Sequence, residues 1–480
     1  MSVIQQLLDV GIQPKRLVSD SRQVQAGDVF LAYAGESADG RQYINAAIEH
    51  GAAAVVWEAD GYAWPADCTL PNIPVIGLRG EVSRIAGEYF GMPSQALWMV
   101  GITGTNGKTS CSHWLAQCLS RCGKPTALIG TLGNGFPQAL QPSPNTTPDP
   151  ILLQAQLADY RQQGANAVAM EVSSHGLAQG RVNGVHFDVA VLTNLSRDHL
   201  DYHGSMEDYA AAKAQLFDWP DLKCAVVNAD DAFGVRIAAE QIAQGRRVLT
   251  YGFEQGDVRG SALSLDETGI AMAVMTPWGE GQLDLPVLGR FNACNALAVL
   301  ATLLVSDVPL QQAIDVMREI RPVAGRMQQL GGDELPLVVV DYAHTPDALE
   351  KVLLSLREQC RGQLICVFGC GGNRDKGKRP LMGGVVSRLA DLAFVTSDNP
   401  RHENGREIIN EIVAGMDADY RIEEDRAAAI DAAIREAKAG DIVLLAGKGH
   451  ESYQQIGDEK LPFSDLEVAQ RVLDSMRRSS

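Results

Sequence analysis

Short apolar runs recur along the chain, each closed by glycine, proline or polar residues. Between them lie stretches whose apolar positions fall three and four apart. Such runs read as buried parallel strands, and the intervening spacing reads as helices that cover the sheet. Within residues 1–95 the strand runs are Val29-Phe30-Leu31-Ala32-Tyr33 and Ala53-Ala54-Val55-Val56-Trp57, which predict a small α/β domain. Met92-Pro93-Ser94-Gln95 reads as a linker. A second alternating series follows at Leu97 to Val100, Ala167 to Val172, Asp188 to Asn194 and Ala225 to Asn228. Residues 258–285 are more polar and read as an antiparallel excursion from it. A second junction falls near Arg321-Pro322-Val323-Ala324-Gly325-Arg326. Beyond it Leu337 to Val340, Leu364 to Phe368, Leu392 to Thr396 and Ile442 to Ala446 predict a further α/β domain. The expected division is 1–95, 96–323 and 324–480.

Composition narrows the picture. A chain of 480 residues exceeds one ordinary core, and 46% hydrophobic with 21% charged residues describes ordered globular domains. The net charge of −18 argues against a general nucleic-acid binder and requires any polyanion to meet a focused site. The N-terminus lacks a basic region followed by an apolar core, and no apolar run approaches the ~18 residues of a membrane span, so a cytoplasmic enzyme is expected. The nine cysteines form no C-x-x-C pair and read as reduced core residues.

Candidate chemistry sits at predicted strand ends, where open α/β sheets bind ligands. Gly101 to Ser110 reads as a phosphate cradle between a strand and a helix. Gly104, Thr105, Asn106 and Gly107 would turn backbone N–H groups toward phosphate, Lys108 would reach the outer phosphates, and Thr109, followed by Ser110, would ligate magnesium. The spacing departs from the common P-loop, because Ile102 stands five residues before Gly107 where that pattern has glycine. Glu171 ends the next strand as a second oxygen ligand for magnesium, or as a helix-capping or ion-paired glutamate. Asn194 to His203 concentrates two aspartates and two histidines, including His199, at a third strand end. Lys213 lies in an alanine-rich stretch, where a solvated surface lysine is the ordinary reading.

Four segments together resemble the Mur ligase family, ATP-dependent amide-forming enzymes of peptidoglycan synthesis. They are Thr103 to Thr109 (TGTNGKT), Glu171 to His175, Asn194 to Asp201 and Gly289-Arg290-Phe291-Asn292. The family shares the altered glycine loop. The resemblance implies three domains: a small N-terminal uridine-nucleotide domain, a central P-loop ATPase-like parallel-sheet domain and a C-terminal Rossmann-like α/β domain. Within the family the chain resembles the member that adds the third peptide residue to UDP-N-acetylmuramoyl-L-alanyl-D-glutamate. ATP and two Mg²⁺ ions are then implied, with Thr109 and Glu171 on the first ion and His199 on the second. Lys213 is implied to be N6-carboxylated, supporting the second ion. A monomer that binds no nucleic acid and enters no membrane is expected.

By the same resemblance, Ser19, Ser21, Glu36, Ser37 and Ala38 belong to the uridine-nucleotide site. Asn145, Thr146, Thr147, Ser173, Gln179 and Arg181 belong to the muramoyl dipeptide site. Each has a plainer alternative: Ser21 capping a turn, Thr146 and Thr147 as β-branched loop residues, Arg181 facing water. Asn292 and Asn295 near adenine, Arg326 at the junction, and Asp341 and His344 after a strand would complete the ATP site. Asp398-Asn399-Pro400-Arg401 (DNPR) resembles the segment with which the family selects meso-diaminopimelate over L-lysine, although a turn with a surface ion pair is the ordinary reading. Arg374 and Arg401 would fork onto the distal carboxylate, and Gly447 and Glu451 would hold the distal amino-acid end. The rivals are an L-lysine-adding ligase, a non-catalytic nucleotide-binding regulator, and a folylpolyglutamate synthetase, whose acceptor would not need the first domain's uridine site.

Overall fold

Three large β-sheets and a two-stranded ribbon, Tyr453–Ile456 with Glu459–Pro462, organise the computed structural model, which describes residues 1–36, 38–266 and 269–479. Ser37, expected at the uridine site, lies outside the described residues. The first sheet is parallel, in the order Leu17–Val18, Val29–Ala32, Ala54–Glu58, Asn72–Val75. Val29–Ala32 is buried throughout because separate apolar clusters cover its two faces. Helix Leu78–Tyr89 turns Leu78, Val82, Ile85 and Ala86 into one of those clusters. Another part of its surface docks on the central domain, where Gly184 N–H donates to Ser83 Oγ at 2.9 Å. A Cβ on Gly184 would fall 2.2 Å from the Ser83 carbonyl oxygen, so this docking admits only glycine.

Ten strands form the central sheet, in the order Gly279–Leu285, Gly269–Thr276, Val258–Asp266, Val248–Gly252, Cys224–Asn228, Val189–Leu192, Trp98–Thr103, Ala167–Glu171, Thr126–Gly130, Gly133–Gly135. The excursion expected at 258–285 is antiparallel within itself. Its first strand nevertheless pairs parallel to Val248–Gly252, so the excursion extends the central sheet. Helix Arg290–Val305 is buried from Asn295 to Val305 and is apolar nearly all round, as a helix must be when it is enclosed on every side. Helix Pro150–Gln162 is capped by Asp149, which accepts from the Ile151 and Leu152 amides at 3.2 and 3.1 Å. Asp149→Ala is expected to cost about 1 kcal/mol of stability. A thermal melt with an unshifted midpoint would show that the cap contributes nothing.

The third sheet runs Gln328–Gly331, Leu337–Asp341, Ile442–Ala446, Leu364–Phe368, Leu392–Val395, Tyr420–Ile422, and is parallel except for its first pair. Its last helix, Asp465–Ser479, is tied in by a fully buried pair: Arg426 donates to both Asp465 oxygens at 2.7 and 2.6 Å. All nine cysteines are free. Among the described residues, no helix is long and apolar enough to cross a membrane.

Candidate functional site

Strand Trp98–Thr103 passes through the glycine loop directly into helix Lys108–Arg121. Gly104 (φ +144°) and Gly107 (φ +87°) are required there. A Cβ on the first would lie 1.9 Å from Thr193 Oγ1, and on the second 2.4 Å from Asn295 Oδ1. The loop is fastened to the neighbouring strand end, since the Thr105 and Asn106 amides donate to the Asn194 backbone and side-chain oxygens at 2.9 and 3.0 Å. Lys108 Nζ donates to the Gly104 and Thr105 carbonyls, both at 2.8 Å. Burial holds its ammonium below the ordinary lysine value, opposed by the charges of Glu171 and Asp198.

Glu171 is fully buried at the end of strand Ala167–Glu171. Its carboxylate accepts from Thr109 Oγ1 at 2.9 Å, from the Thr131 amide at 2.9 Å and from Thr131 Oγ1 at 3.1 Å. Among the described residues it neither caps a helix nor pairs with a cation. The Thr109 hydroxyl and Glu171 carboxylate are hard oxygen donors beside the glycine loop, a set that suits Mg²⁺ completed by phosphate oxygens and water.

A cavity of about 430 Å³ opens over the loop, lined from the central domain by Thr105 to Ser110, Glu171 and Asn295, and from the C-terminal domain by Arg326, Asp341 and His344. Arg326 stacks on Tyr342 at 4.7 Å and donates to Thr109 Oγ1 at 3.3 Å, while its Nε is buried without a partner among the described residues. An orphaned guanidinium N–H beside a phosphate cradle fits a polyanion such as triphosphate. The Asp341 carboxylate accepts from the Met327 and Ala343 amides, both at 2.8 Å, and burial raises its pKa. His344 Nδ1 lies 2.8 Å from the Tyr342 carbonyl. Asn292 does not line this cavity. At the helix start its amide donates to the Leu288 carbonyl at 2.7 Å and accepts from Asn295 at 3.1 Å.

Lys213 is not a surface lysine. Helix Met206–Ala214 buries it beneath the loop, where Nζ donates to the Gly104 carbonyl at 2.8 Å and lies 4.5 Å above the Tyr209 ring. Burial and then the charge of Lys108 hold its pKa well below the ordinary value, against the pull of Asp198. His199 adopts a left-handed backbone (φ +53°), unusual for a non-glycine residue, and packs edge-on to His175 at 4.9 Å. Desolvation lowers its pKa, although its side chain remains 43% exposed at the cleft rim. Among the described residues, no three His, Cys, Asp or Glu side chains gather as a metal centre. An ammonium cannot ligate a cation, so this second position fits Mg²⁺ only when Lys213 carries a carboxylate-like group.

The dipeptide residues divide between the cavity and its margin. Thr146 and Ser173 line the cavity. The buried Thr147 hydroxyl donates to the Glu171 carbonyl at 3.0 Å and lies 3.0 Å from Ser173 Oγ. Arg181 turns inward, donating to the Thr147 carbonyl and to Gln179 Oε1, both at 2.7 Å. Asn145 is exposed nearby, its carbonyl accepting from Ser143. Across the domain boundary Glu36 accepts from Gln179 at 2.5 Å and from Tyr202 at 2.6 Å. Ser19 and Ser21 line neither cavity, and buried Ser21, whose turn is capped by Asp20, accepts from His50 through its carbonyl. Ala38 likewise stays in the first domain, where its carbonyl accepts from the Gly35 amide at 2.9 Å.

A second cavity, about 640 Å³, adjoins the first through Asp198, His199, Tyr342 and His344, which line both. Arg374, Asp398, Asn399, Arg401, Gly447 and Glu451 line its far side, whereas Pro400 does not reach it. Arg401 also has a left-handed backbone (φ +51°), and its Nη1 donates to the Gly372 carbonyl at 2.8 Å. Asn399 donates to Glu451 at 2.8 Å, and fully buried Lys448 donates to both, at 3.1 and 2.9 Å.

Sequence reasoning passed over Thr131, Lys448 and Asp347. Asp347 crosses between domains, accepting from Ser196 at 2.8 Å and from Asn106 at 3.4 Å. Asp347 sits within the polar Asp341 to Asp347 segment, a usable signal, whereas Thr131 follows a strand with nothing to distinguish it.

Comparison with known proteins matches the Mur ligase middle domain to residues 102–303, the Mur ligase glutamate ligase domain to 325–449, and the Mur ligase family catalytic domain to 15–89. A UDP-N-acetylmuramoyl-L-alanyl-D-glutamate--2,6-diaminopimelate ligase from Chromobacterium violaceum is 56% identical over 471 residues, covering 97% of this chain and 96% of that protein. The protein of the same name from Neisseria meningitidis serogroup A is 50% identical, covering 95% and 94%. A solved structure of a ligase with that name is 37% identical, with a TM-score of 0.71 over 97% of this chain and 95% of its own.

Proposed function

The chain belongs to the Mur ligase family, and from that premise we infer that it joins meso-2,6-diaminopimelate to UDP-N-acetylmuramoyl-L-alanyl-D-glutamate in peptidoglycan synthesis, consuming ATP. The observation that carries this reading is the meeting of two cavities at Asp198, His199, Tyr342 and His344. One holds a phosphate cradle, and the other is lined by Arg374, Arg401 and Glu451.

In the proposed reaction the D-glutamate γ-carboxylate attacks the γ-phosphorus of ATP, the bond to the bridging oxygen breaks, and ADP departs. The diaminopimelate amine then attacks the carbon of the acyl phosphate, loses a proton, and phosphate leaves. The glycine-loop amides, Lys108 and Arg326 offset the charge crowded between carboxylate and triphosphate. Arg181 and Ser173 orient the dipeptide. Arg374 and Arg401 bind the distal carboxylate of the incoming amino acid, with Glu451 and Asn399 on its ammonium. A cleft walled by two domains excludes water from the acyl phosphate.

Two Mg²⁺ sites belong to this reading, the first on Thr109 and Glu171, the second on His199 and N6-carboxylated Lys213. When bound, the ions neutralise phosphoryl charge. We place the domain boundaries at 1–95, 96–323 and 324–480, and read the enzyme as a cytoplasmic monomer that does not bind nucleic acid. L-Lysine as the amine is disfavoured, because it would leave Arg374 and Arg401 without a carboxylate. The test is phosphate release from ATP and the purified UDP-muramoyl dipeptide with meso-diaminopimelate, L-lysine or no amine. Release with diaminopimelate alone is expected. Equal release with lysine, or none with any amine, would sink the assignment.

A further inference from the structure

Two loops carry the arginines of the second cavity, and hydrogen bonds sew the loops together. The Gly372 amide donates to the Asn399 carbonyl at 2.9 Å, and the His402 amide donates to Asn373 Oδ1 at 3.1 Å. A Cβ on Gly372 would fall 1.9 Å from the Pro400 carbonyl oxygen, so the loops touch backbone to backbone. Behind them stands Arg379, fully buried on helix Lys378–Leu389. It forks onto Glu403, Nη1 to Oε2 and Nη2 to Oε1, both at 3.0 Å, and Nη2 also reaches the Gly371 carbonyl at 3.3 Å. Glu403 closes the frame by accepting the Asn373 amide. Its carboxyl is held down to about 2, by Arg379 first and the Asn373 amide next.

We propose that Glu403, clamped by Arg379, is a positioning residue for amine selection, which sets the spacing of Arg374 and Arg401 so that both reach one carboxylate. Three observations converge on it. A bidentate ion pair on a fully buried guanidinium fixes the geometry of the carboxylate it holds. Asn373 and Arg401, one on each loop, hold left-handed backbones (φ +52° and +51°), a conformation that persists when the surroundings enforce it. Glu403 bonds the residue immediately before Arg374 and stands two residues after Arg401, so one carboxylate ties down both arms of the fork.

The inference rests on reading the cavity as the diaminopimelate site, and its test separates the two. Wild type, Glu403→Ala, Glu403→Gln and Arg379→Lys are assayed side by side for phosphate release with meso-diaminopimelate and with L-lysine. Glu403→Ala is expected to raise KM for diaminopimelate about tenfold, with KM for ATP and for the UDP-muramoyl dipeptide unmoved. Glu403→Gln, which keeps an acceptor, should raise it less. Arg379→Lys, which cannot fork, should also raise it. A purely structural role would lower the active fraction and the melting temperature without singling out one substrate. Unchanged KM for diaminopimelate in folded Glu403→Ala overturns the clamp. If that variant does not fold, unchanged KM in both Glu403→Gln and Arg379→Lys overturns it equally. Failure of wild type to use diaminopimelate would instead overturn the reading of the cavity itself.

Discussion

Lys213→Ala is expected to lower kcat for amide formation on the order of 10³-fold while leaving ATP binding in place. Lys213 is fully buried beneath the phosphate loop, and among the described residues it has no carboxylate at ion-pairing distance. An unmodified ammonium there adds to the positive charge of Lys108 and contacts the loop only through one carbonyl. N6-carboxylation would remove that conflict: the ammonium gives up one proton, Nζ bonds to the carbon of CO₂ and gives up a second, and the side chain would become an anionic oxygen donor lining the same cavity as His199. Intact-mass measurement should find the added CO₂ in the native enzyme, and Lys213→Ala should regain part of its activity with millimolar formate or acetate. A variant that turns over at the wild-type rate would remove Lys213 from the mechanism.

Arg401→Ala should lower kcat/KM for meso-diaminopimelate on the order of 10²-fold or more and collapse its preference over L-lysine. A distal carboxylate drawn into the second cavity and then left without a forked partner bears the cost of desolvation with little return. Binding of ATP, measured by calorimetry, should not change, because the glycine loop and Arg326 lie on the other side of the junction between the cavities. Undiminished diaminopimelate turnover would refute the assignment. The effect should exceed that of Glu403→Ala, since on this reading Arg401 would touch the substrate and Glu403 would act through the loops.

The parts of this site written in contiguous residues are legible in the amino-acid sequence. The apolar runs ending at Thr103, Glu171 and Leu192 are strands in the central sheet, and their polar ends meet at one crevice. Chain separation hid the rest. Thr131 meets Glu171 across two strand ends, and Arg379 meets Glu403 through a fold that its surroundings in sequence do not announce. Lys213 shows the gap most sharply, because an alanine-rich helix looks solvated until a neighbouring loop covers it. Asn292, expected near adenine, donates to the Leu288 carbonyl at its own helix start.

Local pattern determined the three-sheet organisation, the phosphate loop and the identity of the residues at each strand end, because hydrophobic period and backbone freedom are properties of adjacent residues. Tertiary structure alone decided which charges are buried, which side chains share a cavity and how two arginine-bearing loops are spaced. Those depend on desolvation and on hydrogen bonds between residues far apart in the chain, which no local pattern encodes.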